Sequence, residues 1–187
     1  MNNLIKKLAL GIALLSLSVS AHAAFISMTP DNQFVNIGDS VSVDIRMHDL
    51  LPSESVGDFD FDIVFDATKL TLDSVDFGED LHLGSFMDIQ NWFQSGPNML
   101  TMYEVSFESA QDLFDLQLDD FILATINFTT TDFGVATVDF DNVWALGDQY
   151  GDPMMFTAFS GLITIPEPGT IAVLLIGLLL LRRKLIT

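Results

Sequence analysis

Residues 57–66 read Gly57-Asp58-Phe59-Asp60-Phe61-Asp62-Ile63-Val64-Phe65-Asp66. Phe59, Phe61, Ile63 and Phe65 share one parity; Asp58, Asp60, Asp62 and Val64 share the other. A repeat of two belongs to a β-strand, whose successive side chains point to opposite faces. The stretch therefore predicts a strand with one buried, aromatic face and one wet, acidic face. Its aspartates also copy the first, third and fifth positions of a helix–loop–helix Ca2+ loop. Ile63 stands where that loop needs glycine, and Lys69 where it needs a bidentate glutamate, so the motif is rejected. Side chains on one face of a strand lie about 6.8 Å apart, too far for all three carboxylates to share one ion.

Working outward, the same periodicity recurs on both sides. Asp66-Ala67-Thr68-Lys69 forms a tight connection to Leu70, Leu72, Val75 and Phe77, a second strand whose phase slips at Asp73-Ser74, as a bulge would make it. Upstream, Val41, Val43, Ile45 and Met47 alternate with Ser42, Asp44 and Arg46, after short strands at 25–28 and 34–37. Downstream, residues 78–98 are punctuated by Gly78, Gly84, Gly96 and Pro97 and read as a long irregular loop carrying Trp92 and Phe93. A strand is expected at 100–107, then one short helix capped by Ser109 and running to about 116. Strands follow at 121–129, with Ile122, Ala124, Ile126 and Phe128 inward, and at 135–140, with Ala136, Val138 and Phe140 inward. Val143-Trp144-Ala145 extends the β character with Trp144 in the core, and 159–165 closes the domain. Eight or nine short strands separated by turn signals predict an all-β fold, an antiparallel β-sandwich.

Both ends differ from this body. Lys6 and Lys7, the apolar run 8–19 and Ala21-His22-Ala23 form the order of a secretory signal peptide, residues 1–23, with cleavage expected after Ala23. At the other end Pro166-Glu167-Pro168 precedes an apolar helix expected over 169–181, and Arg182-Arg183-Lys184 supplies a membrane stop. The twelve residues of its uncharged run, 170–181, span roughly 18 Å as a helix against a hydrocarbon core of about 30 Å, so the span is short. The domain between, 24–165, holds two of the seven cations and 25 of the 26 acids, leaving a formal charge of −23. Such a surface repels nucleic acid, which is excluded as a partner. With no cysteine in the chain, disulfides, thiolate metal sites and a cysteine nucleophile are excluded too.

Two resemblances rest on these residues. The triplet, apolar helix and basic end of 166–187 resemble the PEP-CTERM sorting signal of Gram-negative bacteria. That resemblance implies an exosortase as processing partner. It also implies a precursor held in the inner membrane by its C-terminal helix, and delivery to the cell surface or extracellular matrix. Ile37-Gly38-Asp39-Ser40-Val41-Ser42-Val43, the 57–66 strand with Leu70-Thr71-Leu72, and Leu123-Ala124-Thr125-Ile126-Asn127-Phe128 with Gly134 resemble a cohesin domain. This implies a jelly-roll sandwich related to carbohydrate-binding modules; the cellulosomal members bind dockerins. The strand faces here are crowded with aspartate, so no dockerin interface is carried over.

Catalytic signals are sparse. Outside the signal only His48 and His82 remain, and no nucleophile-elbow motif supports a Ser-His-Asp triad. Any pair of carboxylates is expected by chance among so many acids. Asp139, Asp141, Asn142, Asp148 and Asp152 gather near turns and are the candidate ligands for Ca2+, which takes oxygen donors. Trp92 and Phe93 are the candidate glycan contacts. The expected function is thus an exported, surface-sorted, non-enzymatic structural or adhesion protein of the cell envelope or matrix. Its partner would be an exopolysaccharide or another surface protein. The alternative is a carbohydrate-binding module assisted by Ca2+.

Overall fold

A computed structural model of the chain describes residues 24–29, 32–85, 88–167 and Gly169. Eleven strands and one helix are found among them, in the order β1 (Ala24–Thr29), β2 (Asn32–Phe34), β3 (Ser40–His48), β4 (Val56–Phe65), β5 (Leu70–Phe77), β6 (Asp88–Gly96), β7 (Met99–Ser106), α1 (Ala110–Leu116), β8 (Phe121–Thr130), β9 (Gly134–Asp148), β10 (Phe156–Phe159) and β11 (Gly161–Ile165). They form two sheets, β10-β1-β3-β8-β5 and β2-β11-β9-β4-β7-β6. All pairings are antiparallel except β1 with β10 and β2 with β11.

The opening stretch is β4, at the centre of the six-stranded sheet. Phe59, Phe61, Ile63 and Phe65 are buried. Phe61 stacks on Phe59 with centroids 4.8 Å apart and meets Phe140 edge-on at 5.5 Å. Phe65 crosses to the other sheet and packs on Phe128 at 5.2 Å. Offset and edge-on ring pairs of this kind add to the burial of the rings themselves. Ile26, Met28, Val43, Ile45, Ile126 and Phe128 close the core from the facing sheet.

Several local readings hold. The β5–β8 register shifts between Leu72 and Ser74, at the expected phase slip. Ser109 caps α1, its hydroxyl accepting from the Asp112 N–H at 3.1 Å.

Others are corrected. The irregular segment 78–98 contains β6, hairpinned to β7. As an edge strand with six of its nine residues exposed, β6 shows no sustained alternation. Strand β2 ends at Phe34, because Gly38 at φ 88° belongs to the turn that follows. In β8, Phe121 and Leu123 are buried, whereas Ile122 is only half-buried. The cause is a bulge: Ile45 opposes Ala124 while Arg46 opposes Ile122, leaving Leu123 extra. The closing segment is two strands, since the chain crosses from one sheet to the other at Ser160.

Candidate docking face

The outward side of the six-stranded sheet is built in rows that run across β6, β7, β4 and β9. One row is Ile89, Val105, Asp58 and Gly147; the next is Asn91, Tyr103, Asp60 and Ala145; the third is Phe93, Thr101, Asp62 and Asn142. Trp144 joins the third row through its side chain. Its Nε1–H donates to Asp62 Oδ2 at 2.6 Å, and Thr101 Oγ1 donates to Asp62 Oδ1 at 2.6 Å. Ile89, Phe93, Val105 and Trp144 are all exposed, Trp144 to 67%. The face is therefore an apolar patch seamed by carboxylates.

Trp144 was expected in the core and Trp92 on the surface; the structure exchanges them. Register shifts in the β4–β9 ladder at Asp60/Phe61 and Asp62/Ile63 let Phe140 and Val143 both pack inward, which turns Trp144 out. Trp92 packs against the core, while Phe93, its neighbour on an extended strand, faces solvent. The candidate glycan pair thus lies on opposite faces of β6 and forms no single platform.

The electrostatics of the row are graded. The hydrogen bonds from Thr101 and then Trp144 hold the Asp62 carboxyl below the usual carboxylate range. Burial, and then the charge of Asp62, push Asp60 up. Burial followed by Asp148 does the same to Asp58. A depressed folded-state pKa stabilises above the unfolded value and is lost as pH falls through the folded value. The tie between Asp62 and Trp144 should therefore persist at neutral pH and release only below pH 3.8, the ordinary value for aspartate. Trp144 emission followed during acid titration checks this, and Thr101→Val should move the release to higher pH. Release at or above pH 3.8 in the unaltered protein would contradict it.

The outward side of the five-stranded sheet is different in kind. Its polar side chains bond to one another: Ser42 to Asn127 at 2.7 Å, Thr125 to Asp44 at 2.8 Å, Asn127 to Asp76 at 2.7 Å and Thr129 to Asp73 at 2.7 Å. At one end Ser27 Oγ lies 2.8 Å from His48 Nε2, and His48 Nδ1 lies 2.5 Å from Asp120 Oδ1. The order is that of a Ser-His-Asp relay, but Ser27 is buried within β1, a strand paired on both sides. Its neighbouring N–H groups serve the ladders and form no oxyanion hole. The relay ties the end of β3 to β1 and to the start of β8.

The candidate Ca2+ ligands fall into two groups on β9 and the turn after it. Asp139 accepts from Ser160 Oγ at 2.5 Å, and Asp141 from Asn142 Nδ2 at 3.1 Å. Asp148 accepts the N–H groups of Tyr150 and Asp152 at 2.8 and 3.0 Å, closing a turn. Nine residue steps along β9, roughly 30 Å, separate Asp139 from Asp148, so the five do not converge. Pro166 and Glu167 are exposed, whereas Ala21, Ala23, Pro168, Arg182, Arg183 and Lys184 lie outside the described residues.

Residues 26–165 match the family model of the cohesin domain. A search of curated proteins gave no match. Among solved structures, a cohesin from Clostridium acetobutylicum aligns with a TM-score of 0.60 at 23% identity, over 78% of this chain and 94% of its own. The cohesin of a type I cohesin–dockerin complex from Clostridium thermocellum aligns with a TM-score of 0.64 at 16% identity, over 78% and 100%. A non-cellulosomal cohesin from Archaeoglobus fulgidus gives 0.60 at 13%, over 78% and 93%.

These findings correct the sorting-signal reading. The family they show is defined by residues 26–165, not by the terminal segment on which PEP-CTERM membership was read. An exosortase and the membrane are withdrawn as partners, and an inner-membrane precursor in a Gram-negative bacterium as location. The matched structures include cohesins of Clostridium, Acetivibrio and Archaeoglobus, several of them solved with a dockerin. Among the described residues no helix is long and apolar enough to cross a membrane. The expected 169–181 helix lies almost wholly outside them. Domains of this type are non-catalytic modules for protein–protein interaction, and the chain belongs to the cohesin domain family.

Proposed function

We propose that this domain docks a dockerin-type module on the outward face of β6, β7, β4 and β9. The observation that carries the reading is the contrast between the two sheets. One face leaves Ile89, Phe93, Val105 and Trp144 exposed together, while the other is a polar ladder whose groups already satisfy one another. Exposed apolar patches rimmed by polar groups are the usual mark of a protein interface. Asp60 and Asp62 sit among the apolar residues, and the domain's charge is −23. The fitting partner therefore presents an apolar patch ringed by lysine and arginine, and its association should weaken with salt.

Trp144 is the expected anchor, because its indole is held by Asp62 before any partner arrives. Trp144→Ala should weaken binding to a cognate dockerin roughly thirtyfold, the equivalent of about 2 kcal/mol. Ser42→Ala on the opposite face should leave it unchanged. Surface plasmon resonance against a panel of dockerins reads both. The reading fails if no dockerin binds, or if Trp144→Ala and Phe93→Ala bind as well as the unaltered chain.

A further inference from the structure

The inward side of the β6–β7 hairpin carries a group that docking does not use. Leu100, Met102 and Glu104 share the buried parity of β7, and Glu104 lies opposite Phe59 of the core strand. Its side chain is 0% exposed, and neither carboxylate oxygen has a hydrogen-bond partner. A carboxylate in that state is strongly disfavoured unless a proton or a cation neutralises it. His82 Nδ1 stands 3.6 Å from Glu104 Oε1, and Asp88, at the start of β6, completes a trio. One donor atom from each of His82, Asp88 and Glu104 falls within 4.8 Å of the others.

Local structure delivers these three to one point. The turn 79–85 coils back on itself, with Leu83 N–H bonded to Glu79 O and Ser85 N–H to His82 O, each at 2.7 Å. Gln117 Nε2 holds the turn from outside by donating to Asp80 O at 3.1 Å and to Val56 O at 3.0 Å. Ser106 Oγ donates to Leu81 O, fastening the turn to the end of β7. His82 is thereby set against a glutamate that the β7 parity points into the core.

We infer that His82, Asp88 and Glu104 form a binding site for a divalent transition metal, Zn2+ foremost. Zn2+ bonds of about 2.0–2.1 Å to imidazole nitrogen and carboxylate oxygen place tetrahedral ligands about 3.4 Å apart. The His82–Glu104 separation of 3.6 Å is already close to that spacing. A mixed nitrogen and oxygen set of three protein ligands suits Zn2+ better than Ca2+, which takes six to eight oxygens. Asp88 is half-buried and marks the side from which an ion and a fourth, water ligand enter. The bound ion would staple the turn 79–85 to the hairpin whose other side bears Phe93 and Tyr103. The site stands independently of the docking reading.

The test uses the full chain, stripped with a chelator and titrated with Zn2+, Co2+ and Ca2+ in turn. One equivalent of Zn2+ is expected to bind and raise the melting temperature. Co2+ should give the visible absorption bands of a tetrahedral site. Outer partners of metal ligands alone change affinity 10–100-fold, so Glu104→Gln, a direct ligand change, should weaken Zn2+ by at least about a hundredfold. Glu104→Gln preserves shape, and the milder Asp88→Asn serves if it fails to fold. Retention of Zn2+ by both variants at unaltered affinity would overturn the site, since the acidic surface would then be the binder. So would tighter binding of Ca2+ than of Zn2+, or no stoichiometric binding at all.

Discussion

Phe61→Ala is expected to lower the stability of the domain by about 3–5 kcal/mol, the range for emptying a fully buried aromatic site. Phe61 is 0% exposed at the centre of β4, which lies between β9 and β7. It packs on Phe59 along its own strand and on Phe140 from β9, so its loss uncouples two ring contacts as well as leaving a cavity. The hole cannot close easily, because both neighbours are fixed by ladder bonds on strands that cannot shift independently. Small domains have only about 5–15 kcal/mol in all. The variant should therefore melt far lower or not fold cooperatively, as scanning calorimetry would show. Phe93→Ala, an equal truncation on the exposed side of β6, should stay within about 0.5 kcal/mol. Equal losses at the two positions would contradict the assignment of faces.

Gly78→Ala should be nearly as damaging for a different reason. A Cβ at Gly78 would lie 1.8 Å from Ile122 O and 2.9 Å from its carbonyl carbon, both backbone atoms of β8. The backbone comes this close because β8 bulges at Leu123, and the Leu123 carbonyl accepts the Gly78 N–H at 2.9 Å. A methyl group there must push β5 and β8 apart or break that bond. Overpacking typically costs about 1–3 kcal/mol, and more where backbone must move. The expected loss is about 3 kcal/mol, with the turn 79–85 displaced as a consequence. Gly84 has open space around its missing Cβ but a φ of 74°, so alanine there should cost only the strain of a left-handed residue, about 1 kcal/mol. Urea unfolding of the two variants distinguishes crowding from strain. A Gly78→Ala protein as stable as the parent would refute the close approach.

The parts of the fold that were readable in the chain are those where one side chain rule dominates. Alternation of Phe with Asp identifies β4 because one face is buried and the other wet. The slip at Asp73-Ser74 marks a bulge because a missed beat in a period of two has few other causes. Ser109 announces α1 because a hydroxyl before a short apolar run caps free N–H groups.

The features that escaped are ones that depend on a distant strand. Edge strand β6 has only one neighbour and little to bury, so its sequence carries no alternation. Trp144 turned outward because shifts in the pairing with β4 reset the parity of β9, which no local pattern records. Ser160 crosses between sheets within a stretch that reads as one continuous strand. Glu104 did leave a signal: it occupies the inward parity after Leu100 and Met102, where a charge is out of place. Such a residue points either to a turn of the strand or to a buried site, and the structure shows it buried.

The proposed docking face follows from the same arrangement. Side chains of β6, β7, β4 and β9 that point away from the core have no layer above them, and those that are apolar stand exposed in register. The most direct measurement of the central claim exploits the absence of cysteine from this chain. A single cysteine at Asn91, between Ile89 and Phe93 on the outward face, can be labelled with a bulky maleimide. A second variant carries the label at Ser42 on the opposite sheet. Affinity for a cognate dockerin should be abolished by the label at Asn91 and unchanged by the label at Ser42. Binding that survives at Asn91 and is lost at Ser42 would place the interface on the other sheet and contradict the account.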